Sequence, residues 1–181
     1  TDSGAEPTDS GGSSGDSGAG SGGGTSSGSG EDGGDNGGAG EDGGSEQTEW
    51  VYEGEGPEFS HDCGSASSDS WTGCHTSCSG SNDHITYGPY AELPAGTYIV
   101  TWKLKTNDAD RSSLDILQLD VTMNSGSNYL ANRRVNRSEF PDANVWTEFS
   151  VSAEHIGSGR LEFRTQFIDS HRPCVSVDWV R

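Results

Sequence analysis

Every aromatic residue of this chain lies beyond Thr48. Up to that point the sequence holds 18 Gly, 10 Ser and ten acidic residues, with no Lys or Arg. A stretch of this kind cannot bury enough apolar surface to offset the entropy of ordering it. Residues 1–48 therefore read as a disordered, acidic Gly/Ser/Asp-rich linker or tail, spanning on the order of 40 Å as a coil. Its repeated EDGG (Glu31–Gly34, Glu41–Gly44) lacks the alternating Asp/Asn ligands of a calcium loop and reads as low complexity. Whatever folds is contained in residues 49–181, a length that suits one domain with one core.

Charge narrows the partners. The chain carries a net charge of −19, and its folded part holds 19 acidic against 10 basic residues. That balance excludes nucleic acid and anionic membrane surfaces, whose binding depends on Lys and Arg neutralising phosphates. A metal ion or a cationic partner suits it better. No run of 18 apolar residues is present to span a membrane. A chain that starts at Thr1 and runs into such a tail reads as the mature form of a secreted or cell-surface product, with room for a lipid-bearing Cys upstream of Thr1.

The four cysteines, Cys63, Cys74, Cys78 and Cys174, all fall in the folded part. An even count in such a chain reads as two disulfides made in an oxidising compartment. The rival is zinc, given the x₃ spacing of Cys74 and Cys78 and the presence of His61, His75, His84 and His171. The repeated tight pairs of a zinc site are missing.

From Trp50 onward short runs of β-branched and aromatic residues alternate with Gly, Pro, Asn, Asp and Ser clusters. In Gly96–Thr106, Tyr98, Val100, Trp102 and Leu104 share one face of a strand. In Leu114–Met123, Leu117, Leu119, Val121 and Met123 share one face, and Ile116, Gln118, Asp120 and Thr122 the other. Trp50–Glu55, Ile85–Leu93, Tyr129–Val135, Val145–Val151, Arg160–Ile168 and Cys174–Val180 bring the total to about eight strands. The stretch His61–Asn82 shows no periodicity, and no segment carries a helical stripe of ten residues. The pattern predicts an all-β chain, an antiparallel β-sandwich of the jelly-roll kind.

Several of these runs, in this order, resemble a known group. Tyr52-Glu53-Gly54-Glu55 is similar to the YEAE opening of jelly-roll carbohydrate-binding modules with the galactose-binding-like fold. GPYAELPAGTYIVTWKLKT (Gly88–Thr106), LQLDVTMNSG (Leu117–Gly126), Val145-Trp146 followed by FSV, LEFRTQF (Leu161–Phe167) and VSVDWVR (Val175–Arg181) resemble its later strands. The likeness covers nearly all of Trp50–Arg181 and is broken by the cysteine-rich stretch Cys63–Cys78.

The resemblance implies that the first and last strands lie side by side. Glu53, Glu55 and Asp178 then hold a structural calcium ion, for which hard oxygen ligands are suited; without the resemblance they read as a solvated acidic face. The same pairing implies disulfides Cys63–Cys174 and Cys74–Cys78. It also implies a non-catalytic module that binds polysaccharide or another glycan, through loop aromatics beside polar groups. Trp71, Tyr129 and Trp146 are the aromatic candidates, with Asn136, Arg137 and His171 as polar contacts and Asp169 and Arg172 nearby. Trp146 reads equally as core, and Tyr129 as a cross-strand partner. Trp102 and Trp179 read as structural. The basic run Arg133–Arg137 reads as a solvated strand with ion pairs, or as a grip on an acidic sugar. The alternative function is a protein-interaction or structural sandwich. An enzyme has little support, since no hydrolase or phosphate-binding motif is present.

Overall fold

The computed structural model describes residues 48–181 apart from Ser79, Ser81, Asn82, Arg111 and residues 169–172. The chain divides into two units, Thr1–Gly44 and Ser45–Arg181. The described residues all belong to the second, so the expected tail lies outside them.

Ten strands form among the described residues: β1 (Tyr52–Glu53), β2 (Ser65–Ser67), β3 (Ser70–Cys74), β4 (His84–Ala91), β5 (Gly96–Thr106), β6 (Asp115–Met123), β7 (Asn128–Asn136), β8 (Thr147–His155), β9 (Leu161–Phe167) and β10 (Cys174–Val180). They build two antiparallel sheets. Sheet A runs β2-β3-β10-β5-β8, with β1 also on β10, and sheet B runs β4-β9-β6-β7. The fold is the all-β sandwich that the alternation predicts. One 3₁₀ turn, Arg137–Glu139, follows β7. Among the described residues no helix is long and apolar enough to cross a membrane.

The core lies between the sheets. β5 sends Val100, Trp102 and Leu104 inward, and β8, registered against it with Val100 opposite Val151 and Trp102 opposite Phe149, adds Phe149, Val151 and Ala153. Sheet B answers with Leu117, Leu119 and Val121 of β6 and Phe163 and Phe167 of β9, all buried. Trp102 stands edge-on to Phe163 with ring centroids 6.4 Å apart. At about 25 cal/mol per Å² this apolar burial is the main force holding the two sheets together.

The stretch expected to be without structure contains the β2–β3 hairpin. β3 lies beside β10, with Cys74 opposite Cys174 and Trp71 opposite Val177. β1 occupies the same side of β10 further along, with Tyr52 opposite Val180 and Glu53 opposite Trp179. The first and last strands are neighbours, as the resemblance implies, but only over two residues. After Glu53 the chain turns away, and Ser60 bridges to Tyr87 of sheet B.

That excursion overturns the expected disulfides. Cys63–Cys174 and Cys74–Cys78 do not form; the bonds are Cys63–Cys78, with Cα atoms 5.1 Å apart, and Cys74–Cys174, at 4.0 Å. β3, not the segment after β1, flanks the start of β10, so Cys174 meets Cys74. Cys63 lies where the chain has crossed to sheet B and meets the loop after β3. A zinc site is excluded, since no cysteine is free.

Candidate functional site

The residues nominated by the sequence do not converge. Trp71 is half-buried on β3, between β2 and β10, stacked on His61 with centroids 3.5 Å apart, and donates its indole N–H to the Cys63 carbonyl at 2.8 Å. Trp146 is half-buried on the outward face of sheet A. Tyr129, 56% exposed, stands on the outward face of sheet B. His171, Asp169 and Arg172 lie outside the described residues.

Arg137, expected as a polar ligand contact, stands in the 3₁₀ turn after β7. It is 5% exposed, and its guanidinium pairs with Asp108 at 2.9 Å and Asp110 at 3.0 Å. Asn136 caps the 3₁₀ turn, with its N–H donating to Glu139 Oε1 at 3.0 Å and its Oδ1 accepting from Ser138 at 2.6 Å. Arg133 pairs with Glu139 and Arg134 with Asp115. The basic run is thus the ion-paired strand that was the first reading of it.

What sequence reasoning missed is the outward face of sheet B. The alternation that points Leu117, Leu119 and Val121 into the core points Gln118, Asp120 and Thr122 away from it, opposite Gln166, Arg164 and Glu162 of β9. Side chains in that position are normally wet. Here Asp120 is 0% and Glu162 1% exposed. Glu162 Oε2 accepts from Thr122 Oγ1 at 3.2 Å and pairs with Arg164 at 3.0 Å. Gln118 donates to both Asp120 oxygens, at 3.0 and 3.2 Å. The Tyr90 phenol lies beside Glu162, and Tyr129 lies beside Arg164. The β6–β7 turn closes over the same arginine, because a Cβ on Gly126 would stand 1.8 Å from its guanidinium. Arg164 Nε is buried without a hydrogen-bond partner.

Titration reflects this packing. Burial, against the hydrogen bond from Gln118 and the charge of Arg164, pushes the Asp120 carboxyl above its ordinary value. Burial, with the Glu162 carboxylate beside it, pushes the Tyr90 phenol up.

The backbone is unusual at the same place. Tyr90 (φ 60), Asn124 (φ 55), Ser125 (φ 56) and Asn144 (φ 61) are the non-glycine residues with left-handed backbone among those described. Three of them, with Gly159 and Arg160, line one recess of about 480 Å³ beside the Glu162 network. Such strain costs on the order of 1 kcal/mol or more per residue and persists where the surroundings over-determine it. A second recess, about 490 Å³, is lined by Trp50, Tyr52, Leu93, Tyr98 and Phe163, with Arg181 at its edge. Thr48, Glu49, Thr97 and Thr101 also line it, so its wall mixes aromatic rings with polar groups.

Acidic residues also gather where β1 meets β10. Gly54 donates to the Asp178 carbonyl at 2.6 Å, which holds the flanking Glu53 and Glu55 near Asp178. Burial, then Asp178 and Glu55, push the Glu53 carboxyl up. Glu55 Oε2 is buried without a partner. Lys103 Nζ pairs with Asp178 at 2.7 Å. Among the described residues, no three of His, Cys, Asp and Glu converge as a ready metal site.

No protein-family model matches the sequence, and no curated protein matches it. Solved structures with a similar course of chain include the C-terminal CBM6 of LamC, a marine laminarinase from Zobellia galactanivorans, with 13% identity, a TM-score of 0.47 and coverage of 72% of this chain and 95% of that one. Another is the carbohydrate-binding module CBM6cm-2 of Cellvibrio mixtus lichenase 5A in complex with cellotriose, with 12% identity, TM-score 0.42 and coverage of 73% and 94%. A third is CsCBM6-3 from Clostridium stercorarium in complex with cellobiose, with 14% identity, TM-score 0.35 and coverage of 75% and 87%. At these values the likenesses assign neither family nor ligand to this chain.

Proposed function

We propose that the sandwich is a non-catalytic glycan-binding module of an exported protein, and that it binds on the outward face of sheet B. The observation that carries this reading is the buried Glu162–Thr122–Arg164 network under Tyr90 and Tyr129. Sugars offer weakly apolar C–H faces ringed by hydroxyls. They are held by an aromatic ring beside donors and acceptors fixed in advance. Tyr129 supplies an exposed ring, Arg164 an unsatisfied donor, and the left-handed turn residues a rigid wall. The order of sequence motifs resembling jelly-roll carbohydrate-binding modules supports the same class. The two disulfides suit an oxidising compartment outside the cytosol.

The test is a glycan array probed with the full chain, followed by calorimetry with the sugars retained. Tyr129→Ala should keep the wild-type melting temperature and weaken binding by about tenfold or more, since aromatic contacts contribute about 0.5–1.5 kcal/mol beyond the area they cover. Trp71→Ala should leave the affinity unchanged. Retained affinity in Tyr129→Ala together with loss in Trp71→Ala would move the site to β3, around Trp71 and His61. No binding to any glycan would favour the protein-interaction reading of the same sandwich.

Glu53, Glu55 and Asp178 are further proposed to hold a structural calcium ion. The donor chemistry fits: an orphaned buried Glu55 oxygen, and a Glu53 carboxyl raised by burial and like-charge neighbours, are what a cation relieves. Lys103 meets part of that demand and must share Asp178 with the ion. Calcium should raise the melting temperature, and Glu55→Gln should abolish the rise. An equal rise in that variant would remove Glu55 from the ligand set.

A further inference from the structure

The outward face of sheet A carries a row in which cations and indoles alternate. On β5 the alternation that buries Leu104 turns Lys103 and Lys105 outward. On β10 the register shifts between Val177 and Trp179, which brings Trp179 opposite Lys103. Ahead of β8, Asn144 donates its N–H to the Thr106 carbonyl at 2.7 Å, fixing Trp146 over the end of β5. Lys105 Nζ lies 4.2 Å from the Trp146 ring centroid. Lys103 Nζ lies 5.6 Å from Trp146 and 5.7 Å from Trp179, and the Arg181 guanidinium 4.8 Å from Trp179.

The cations differ in how they are balanced. Lys103 pairs with Asp178, and Arg181 with Glu49 and Glu148. Lys105 pairs with no carboxylate among the described residues, in a chain with 29 acidic side chains and ten basic ones. Beside it stand the hydroxyls of Ser176, its register partner on β10, and Thr72, which hydrogen-bond to each other at 2.8 Å. One end of the row therefore offers a half-buried indole, an ammonium without a carboxylate and the half-buried hydroxyl of Thr72, braced from below by the buried Ser176.

We propose that this end, Trp146–Lys105–Thr72, is a second binding surface, one that takes a carboxylate-bearing sugar of a uronic-acid polysaccharide. The indole suits a pyranose face, and the ammonium a single negative charge beside it. Sulfate esters are the poorer match, because they are best held by an arginine fork, and the arginine of this row is spent on two glutamates. The surface lies on the sheet opposite to the glycan-binding face proposed above and does not depend on it.

The test titrates the full chain with oligogalacturonate, sulfated galactan oligosaccharides and cello-oligosaccharides, read by tryptophan fluorescence and calorimetry. Oligogalacturonate should bind, weaken as salt rises, and bind Lys105→Gln about tenfold less tightly, the scale of one charge-assisted contact. Lys105→Gln should melt as the wild type does, and Tyr129→Ala should bind oligogalacturonate unchanged. Equal affinity of Lys105→Gln and wild type, no binding of oligogalacturonate, or equally tight binding of the sulfated or the neutral probe by Tyr129→Ala would each overturn the proposal.

Discussion

The two outward faces of the sandwich are made by the same alternation of side chains, yet they solve opposite problems. On sheet B the outward residues are short carboxylates and hydroxyls sunk beneath long neighbours. Asp120 and Glu162 lose their water and must be satisfied by Gln118, Thr122 and Arg164. On sheet A the outward residues are long. Lys103 and Lys105 lay their stems along the sheet and rest their charges on Trp146 and Trp179. The first face stakes stability on a few buried bonds, whereas the second spreads small attractions over solvated groups. The comparison separates groups whose removal unfolds the protein from groups whose removal changes only what it binds.

Three measurements sharpen or break that contrast. Glu162→Ala strands Arg164 and Thr122 in a dry site and should lower the unfolding free energy by about 3 kcal/mol in urea titrations. A loss under about 1 kcal/mol would mean that water reaches the network. Asp120 gives a change of intermediate size through pH. Its folded-state pKa is raised above the ordinary 3.8, so the folded protein binds the proton more tightly than the unfolded chain does. Its contribution to stability therefore falls as pH rises through that window and grows on acidification toward 3.8. Asp120→Asn should be at least as stable as wild type at neutral pH and should flatten this part of the stability–pH curve. Unchanged curvature would place the titration elsewhere. The smallest effect belongs to sheet A. Lys103→Met should cost under about 1 kcal/mol, because its pair with Asp178 is partly solvated and its two indole contacts are long.

The framework was legible because β alternation is a local signal. The inward set Tyr98, Val100, Trp102 and Leu104 could be read from eleven residues. So could the two faces of Leu117–Met123. The β2–β3 hairpin was not legible, since Ser65–Ser67 holds no large apolar residue and is fully exposed. The disulfides failed with it, because adjacency of the first and last strands says nothing about a third strand on the same side of β10. The sheet B site was half legible. Asp120 and Thr122 were assigned to one face, but not the burial of that face, which depends on Glu162, Arg164, Tyr90 and the β6–β7 turn arriving from distant segments. Nothing local marks Tyr90 as left-handed; that conformation is imposed by what surrounds it. The pairing of Arg137 was hidden for the related reason that its partners, Asp108 and Asp110, are 29 and 27 residues away in sequence.

The short pairing of β1 with β10 has a mechanical consequence. Tension entering the domain at Thr48 meets the Glu49–Arg181 ion pair and the Trp50–Tyr98 contact first and then Tyr52 opposite Val180, a series of contacts that yield in turn. Next comes the bridge between Ser60 and Tyr87. Then the pull arrives at Cys63, covalently tied to Cys78, and the yielding stops. The segment between Thr48 and Cys63 is thus a short spool that pays out about 50 Å of slack, giving up β1 and the core contact of Phe59 while β2 to β10 stay paired. Whatever such a domain grips, a sharp tug is absorbed by the leash before it reaches the grip.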